Sequence, residues 1–142
     1  MELNYGFILE KTGKKIKQSL QKRFLEKGFD ITVDQWVILQ ELYLQGTQNQ
    51  VDLGMRVFKD APTVTRMIEL LVKKDMILRE PCKEDRRKFR ISLSKQGKVL
   101  VEKLMPEVIA FRRCGWNGLT QQDITHLKRI TQKIVDNLEY AE

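Results

Sequence analysis

The residues with the clearest chemistry in this sequence are the charged ones between Pro81 and Lys88. Four of these eight residues are basic and two are acidic, and they separate two short apolar segments that resemble β-strands. So many charges do not suit a buried turn, because each would need a partner away from water. A basic loop at the tip of a hairpin is well suited to contact a polyanion. The candidates for phosphate contacts are Lys83, Arg86 and Lys88.

A predicted helix from Ala61 to Lys74 precedes this hairpin and carries a second polar group. Pro62 suits the first turn of a helix, and the apolar residues after it recur at helical spacing. Outside that apolar stripe lie Thr63, Thr65 and Arg66, near the start of the helix. Arginine can bind guanine O6 and N7, threonine adapts to several bases, and Pro62 could contact a thymine methyl group. The pattern predicts a helix that reads base edges beside a basic hairpin.

Two further helices are predicted upstream, which gives a helix-turn-helix arrangement. The first runs from about residue 33 to residue 44, with Thr32 as the N-cap of a capping box. The second is predicted to begin at Thr47, because Thr47 to Gln50 repeats the capping-box pattern. Residues 59 to 61 then form the turn. A helix start also makes Thr47 a candidate for a phosphate contact.

The run from residue 85 to residue 97 resembles the wing signature of the MarR family of bacterial transcription regulators. In that signature an Asp, any residue and an Arg precede a strand that ends in Leu-Thr or Leu-Ser, and a Gly follows three residues later. Here these residues are Asp85, Arg87, Leu93, Ser94 and Gly97. The upstream run from residue 62 to residue 66 is similar to the start of that family's recognition helix. The order and spacing of the elements match over almost the whole chain.

The resemblance implies a fold and a set of roles. The fold would be mainly α with a small β-hairpin wing, an α+β winged helix-turn-helix lobe flanked by N- and C-terminal dimerisation helices. Arg87 would enter the minor groove, and Asp85 would orient it. One departure is Asp75, which stands where the family usually has Gly after the recognition helix. Asp tolerates the left-handed conformation of such a turn better than most residues do.

The 142 residues fit a single domain with four parts. We expect dimerisation helices at 1–30 and 114–142, the winged helix-turn-helix lobe at 31–93 and a connecting helix at 94–113 that Pro106 kinks or splits. The last helix follows the N-cap Thr120, and its apolar residues have the spacing of a helix–helix seam. Packing both ends against a second copy would give a homodimer. Pairing of these helices within one subunit is the alternative.

Charge narrows the class of partner. The net charge is +7, and residues 1–29 and 59–90 each carry a net +4. On charge alone, both nucleic acid and an anionic membrane are possible partners. However, no apolar run approaches the roughly 20 residues of a spanning helix, and the N-terminus lacks signal-peptide features. We therefore expect a cytoplasmic protein with no membrane association.

Catalytic and metal-binding chemistry has little support in the sequence. The single histidine and the two cysteines show no metal-ligand spacing, and no phosphate-binding glycine loop or nucleophile motif is present. We predict no enzyme activity, no metal and no cofactor. Cys82 is a candidate redox-sensitive thiol, because Lys83 and Arg86 follow it and neighbouring cations favour the reactive thiolate.

The resemblance also implies a small phenolic or lipophilic effector, bound between the dimer helices and the DNA-binding lobe. Taken singly, each aromatic residue that could line such a site is better explained as part of an ordinary core. The aromatic candidates are Tyr5, Phe7, Trp36, Phe111 and Trp116.

The expected function is that of a sequence-specific regulator that binds double-stranded DNA as a homodimer on a pseudo-palindromic operator. Repression, with release by a small aromatic or lipophilic effector, is the family's common mode and therefore the default. The alternative is a dimeric helical protein-interaction module that binds DNA only non-specifically. The basic hairpin favours the regulator, because a protein-interaction module has no need of it.

Overall fold

The computed structural model describes residues 4–141, which form six α-helices and three short β-strands. This confirms the predicted class, mainly α with a small β-hairpin wing, and adds a third strand to the hairpin. Contacts divide the chain into two compact units with the border between Ile109 and Ala110. The helices are α1 (Tyr5–Glu26), α2 (Val33–Gln45), α3 (Gln50–Arg56), α4 (Ala61–Lys73), α5 (Lys95–Gly115) and α6 (Gln121–Glu139). The strands are β1 (Gln48–Asn49), β2 (Ile77–Pro81) and β3 (Phe89–Leu93).

Capping boxes begin α2 and α6 as predicted. The Thr32 hydroxyl accepts from the Gln35 backbone N–H at 3.1 Å, and the Gln35 side chain accepts from the Thr32 N–H in return. Thr120 and Asp123 make the same pair of bonds at the start of α6. Reciprocal bonds of this kind satisfy two backbone donors that have no partner inside the helix. Local sequence therefore sets both helix starts.

The predicted start of α3 at Thr47 is wrong. Residues 48 and 49 are extended, because they pair with β3 at Ile91 and Arg90. The helix begins only after them, with Asn49 as N-cap, whose side-chain oxygen accepts from the Val51 N–H at 2.8 Å. Tertiary strand pairing outweighed the local capping-box pattern here.

The wing is part of a three-stranded sheet with the order β1-β3-β2. The hairpin of β2 and β3 is confirmed, with Arg79 opposite Ile91 and Pro81 opposite Phe89. On its other edge β3 pairs with β1, which places Gln48 opposite Ile91. The central position of β3 ties the wing to the segment that leads into α3.

One core holds the first unit together. Phe24 of α1 and Trp36 of α2 pack edge to face, with ring centroids 6.2 Å apart. The inward face of α4 adds Val64, Ile68 and Leu71, as its spacing predicted. The same spacing predicted Val72 as the fourth inward residue, which is wrong, because Val72 is 37% exposed near the end of the helix. The other large side chains that are almost fully buried are Ile38, Leu39, Leu53, Ile77, Ile91, Val101 and Leu104.

Ion pairs connect the elements at the surface of this unit. Asp34, in the first turn of α2, accepts from Lys17 of α1 at 2.8 Å and lies 3.5 Å from Lys59, in the turn between α3 and α4. Burial alone would raise the pKa of Asp34, but the hydrogen bond and charge of Lys17, together with Lys59, outweigh burial and lower it. Arg23 of α1 similarly donates to Glu107 of α5 at 3.0 Å.

The turn after α4 brings the backbone against α5. Asp75 has a φ of +60°, so the left-handed turn predicted at this residue is confirmed. Ser94 then caps α5 by accepting from the Gly97 N–H at 2.9 Å. A Cβ on Gly97 would lie 2.0 Å from the Met76 carbonyl oxygen, so only glycine fits this approach.

Pro106 lies inside α5, which continues through it to Gly115 as one helix, so the proline does not split the helix. The second unit contains the end of α5 and the whole of α6, and no residue of α6 is buried. Its exposed apolar residues include Leu127, Ile130, Ile134, Val135 and Leu138.

Candidate nucleic-acid interface

The polar face of α4 is exposed near its N-terminus, as the sequence predicted. Asp60 caps the helix by accepting from the Thr63 N–H at 2.9 Å. Bonds from the Thr63 backbone and then its hydroxyl lower the pKa of Asp60, so the cap is charged at neutral pH. Arg66 is exposed, and Thr63 and Thr65 are half-buried. Because the opposite face of α4 fills the core, these side chains are held on a rigid helix.

The tip of the wing is closed by two backbone hydrogen bonds. The Cys82 N–H donates to the Lys88 carbonyl at 2.8 Å, and the Lys88 N–H donates to the Asp85 carbonyl at 3.0 Å. Lys83, Arg86 and Lys88 are exposed around this turn. The predicted phosphate-binding cations of the wing therefore lie together on one ordered loop.

Asp85 and Arg87 form the most directional contact of the wing. The Asp85 carboxylate accepts from the Arg87 backbone N–H at 3.0 Å, from Nε at 3.2 Å and from Nη2 at 3.4 Å. Bonds from the Arg87 side chain and then its backbone lower the pKa of Asp85. The Arg87 side chain is nevertheless 91% exposed. Its guanidinium is thus held in direction while it remains accessible.

A hydrogen-bonded chain joins α4 to the wing, and the sequence analysis missed it. Arg79 of β2 donates from Nε to the Gln50 side-chain oxygen at 3.0 Å. Gln50 donates from its amide nitrogen to the Thr65 hydroxyl oxygen at 3.2 Å. The Arg79 guanidinium also lies 3.7 Å from the centroid of the Phe89 ring in β3. No spacing in the sequence signals this chain, because its members come from α3, α4 and both strands of the wing.

A small groove of about 160 Å³ lies between α3 and α4, next to this chain. Gln50 and Thr65 both line it, so the hydrogen-bonded pair borders an accessible space. The apolar part of its lining comes from Val51, Gly54, Met55, Ala61 and Val64.

The remaining predicted site residues are spread over the chain. Pro62 is exposed in the first turn of α4, Thr47 is exposed just before β1, and Cys82 is half-buried at the base of the wing tip. Residues 4–141 contain no cluster of three or more His, Cys, Asp or Glu that could hold a metal. Across the same residues, no helix combines the length and apolarity needed to cross a membrane.

The aromatic residues proposed for an effector site differ in environment. Trp36 is 2% exposed and packs on Phe24, so it is a residue of the core. Tyr5 and Phe7 are 61% and 56% exposed on α1. In the second unit, Phe111 and Trp116 are half-buried.

Helices α3 and α4, followed by the β2-β3 hairpin, define this protein as a winged helix-turn-helix protein with an exposed, basic wing. Residues 31–89 match the MarR family model. The matched part carries helices α2 to α4 and the β2-β3 wing, so this part of the chain is similar to MarR-family proteins.

Solved structures support the same fold. A complex of Staphylococcus aureus MepR with DNA has a TM-score of 0.84 at 23% identity, covering 96% of this chain and 99% of that one. BpsR of Bordetella bronchiseptica, whose DNA binding is regulated by 6-hydroxynicotinic acid, has a TM-score of 0.83 at 24% identity, covering 94% of each chain. A mutant MarR from E. coli in complex with operator DNA has a TM-score of 0.81 at 22% identity, covering 91% of each.

Proposed function

We propose that this protein is a transcriptional regulator that binds double-stranded DNA sequence-specifically as a homodimer. The observation that carries this proposal is the exposed Arg87 guanidinium held by Asp85 at the tip of a wing that is fixed to the α4 lobe. Hydrogen-bond donors that are held before binding lose less side-chain entropy when they bind. A DNA-binding function also gives the surrounding exposed cations a role, since phosphate contacts position a protein on the duplex.

The proposed contacts fall into three groups. Pro62, Thr63, Thr65 and Arg66 on α4 would meet base edges in the major groove. Arg87 would enter the adjacent minor groove, where negative potential attracts arginine, and Asp85 would orient it. The residues proposed to contact phosphate are Thr47, Lys83, Arg86 and Lys88.

Homodimerisation is supported by apolar side chains that a single chain leaves in water. On α6, Leu127 and Ile130 are 45% and 46% exposed, and no residue of that helix is buried. Exposed apolar surface of this kind marks sites of protein association. Two copies related by a two-fold axis would present two α4 helices to a pseudo-palindromic site, about one helical turn apart.

Regulation by a small aromatic or lipophilic effector is part of this proposal. Support comes from the resemblance to BpsR and from the accessible aromatic rings of Tyr5 and Phe7. We propose that the protein is cytoplasmic and represses transcription, and that the effector weakens its binding to DNA. An effector releases DNA only if it binds one conformation of the protein more tightly than another.

Binding to the protein's own upstream DNA and to a scrambled duplex, at several salt concentrations, tests the proposal. We expect about three orders of magnitude higher affinity for the upstream duplex, with a steep salt dependence. If instead both duplexes bind weakly and equally, and a library of random duplexes also yields no preferred sequence, a sequence-specific regulatory function is excluded. The exposed apolar face of α6 would then favour the alternative, a helical protein-interaction module that binds DNA non-specifically.

A further inference from the structure

The chain from Arg79 through Gln50 to Thr65 has a fixed hydrogen-bond polarity. Arginine carries only donors, so the atom of Gln50 that faces Arg79 must be the side-chain oxygen. The amide NH₂ of Gln50 then faces Thr65 and donates to its hydroxyl oxygen. The orientation of an amide that would otherwise be free to flip is therefore set by a residue of the wing.

The same polarity determines what Thr65 offers to a ligand. A threonine hydroxyl has one hydrogen and two lone pairs, and Gln50 occupies one of the lone pairs. The hydrogen cannot point toward the Gln50 NH₂, so it is directed elsewhere. Thr65 is half-buried and lines the open groove between α3 and α4.

Arg79 is itself held in place by the wing. Its guanidinium stacks on Phe89 at 3.7 Å from the ring centroid, and its backbone pairs with Ile91 in the central strand. Stacking on an aromatic face suits arginine and fixes the plane of its donors. The base of the wing therefore sets the direction of the Gln50 amide.

We propose that Gln50 and Arg79 are specificity-determining residues, which act through Thr65 by making its hydroxyl a hydrogen-bond donor toward the DNA. This inference rests on the proposed DNA-binding function. Thr65 then selects a base that presents an acceptor in the major groove, namely guanine, the N7 of adenine or the O4 of thymine. Gln50 and Arg79 are positioning residues in this scheme and need not touch the base.

An isosteric substitution reverses the polarity. In Gln50→Glu, one carboxylate oxygen accepts from Arg79 and the other accepts the hydroxyl hydrogen of Thr65. The lone pairs of Thr65 then face outward, so it should select a base with an amino donor, the N4 of cytosine or the N6 of adenine. The matched control is Asn49→Asp, which adds the same charge at the adjacent residue and keeps the acceptor that caps α3.

The experiment selects bound sequences from a library of random duplexes with wild type, Gln50→Glu and Asn49→Asp. We expect the same preferred half-site for wild type and Asn49→Asp, and a change at one base pair per half-site for Gln50→Glu. Titrations with the two preferred duplexes should show a change in their affinity ratio of about fivefold or more. In a Thr65→Val background, which lacks the hydroxyl, Gln50→Glu should change no base preference.

Where wild type selects guanine or thymine, an unchanged base preference in Gln50→Glu overturns the inference, as does a change that persists in the Thr65→Val background. Adenine presents both an acceptor and a donor, so Arg79→Met decides the question where wild type selects adenine. If Gln50→Glu binds no duplex, Arg79→Met decides the question, because Gln50 is then free to flip and the preference at that base pair should relax. An Arg79→Met protein that keeps the full wild-type preference overturns the inference. A wild-type protein that selects no sequence overturns the proposed function itself, and the inference with it.

Discussion

The Arg87 guanidinium lies 3.2 Å from the Asp85 carboxylate at Nε while 91% of the side chain remains exposed. Water screens exposed ion pairs of this kind, so this contact contributes little to the free energy of folding. Its effect is on direction, because the carboxylate also accepts from the Arg87 backbone and so holds both ends of the residue. Substitution of Arg87 should therefore change DNA binding without changing the stability of the fold.

Arg87→Ala should weaken specific DNA binding by about 1–3 kcal/mol and leave the melting temperature unchanged, because it removes the proposed minor-groove contact of an exposed side chain. Titrations at fixed salt, together with thermal unfolding, measure both effects. Arg86→Ala is the matched control, an exposed arginine one residue away. It should weaken all duplexes alike and reduce the salt slope by about 1. Wild-type affinity in Arg87→Ala would refute the role given to the wing.

Asp34 should make the stability of the protein depend on acid pH. The folded-state pKa of Asp34 lies below the ordinary value of 3.8. Its contribution is therefore present above that value and is lost as the pH falls through the lower, folded-state pKa. Urea unfolding at pH 7 should show Asp34→Asn to be less stable by about 1 kcal/mol or less, since the pair is partly exposed.

Titrating the same two proteins from pH 7 to pH 2 should bring their unfolding free energies together. The control is Asp52→Asn, which removes an exposed carboxylate of α3. A gap between wild type and Asp34→Asn that stays constant down to pH 2 would contradict the assignment of this pH dependence to Asp34.

Gly97→Ala should destabilise the protein by about 3 kcal/mol or more. The added Cβ would lie 2.0 Å from the Met76 carbonyl oxygen, so the backbone itself must move. Gly13→Ala is the contrasting variant, because nothing lies within 4 Å of an added Cβ in the middle of α1. Alanine there should stabilise the helix by about 1 kcal/mol. Equal unfolding midpoints for the two variants would contradict the close approach of Gly97 to the Met76 carbonyl.

Ile134→Glu should convert the proposed homodimer to a monomer, because it places a charge on the apolar face of α6. Analytical ultracentrifugation measures the mass, and a loss of affinity for a two-half-site duplex should accompany it. Gln122→Glu adds the same charge to the exposed first turn of that helix and should leave the mass unchanged. A dimer of undiminished affinity in Ile134→Glu would place the interface elsewhere.

The sequence predicted those features that depend on neighbours along the chain. The caps at Thr32 and Thr120, the buried stripe of α4 and the left-handed turn at Asp75 all follow from local chemistry. Features that depend on distant partners were missed or wrong. The start of α3 moved from Thr47 because β1 pairs with β3, a contact between residues about forty positions apart.

The candidate site divides in the same way. The contact of Asp85 with Arg87 spans two residues and was implied by a short motif. The hydrogen bond from Arg79 to Gln50 joins residues 29 positions apart in the sequence. Arginine and glutamine are common on protein surfaces, and neither residue belongs to a repeating sequence pattern that would predict the contact. Only the folded chain brings them together.

The central position of β3 should give two parts of the wing different rates of local opening. Amides of β3 are bonded to β1 on one side and to β2 on the other, and Ile91 is fully buried between them. The tip beyond Pro81 is closed by two backbone bonds and is surrounded by water. Amide exchange should therefore be slow along β3 and fast at the tip. The strands beneath the tip should therefore keep the alignment of the wing with α4 during local opening of the tip.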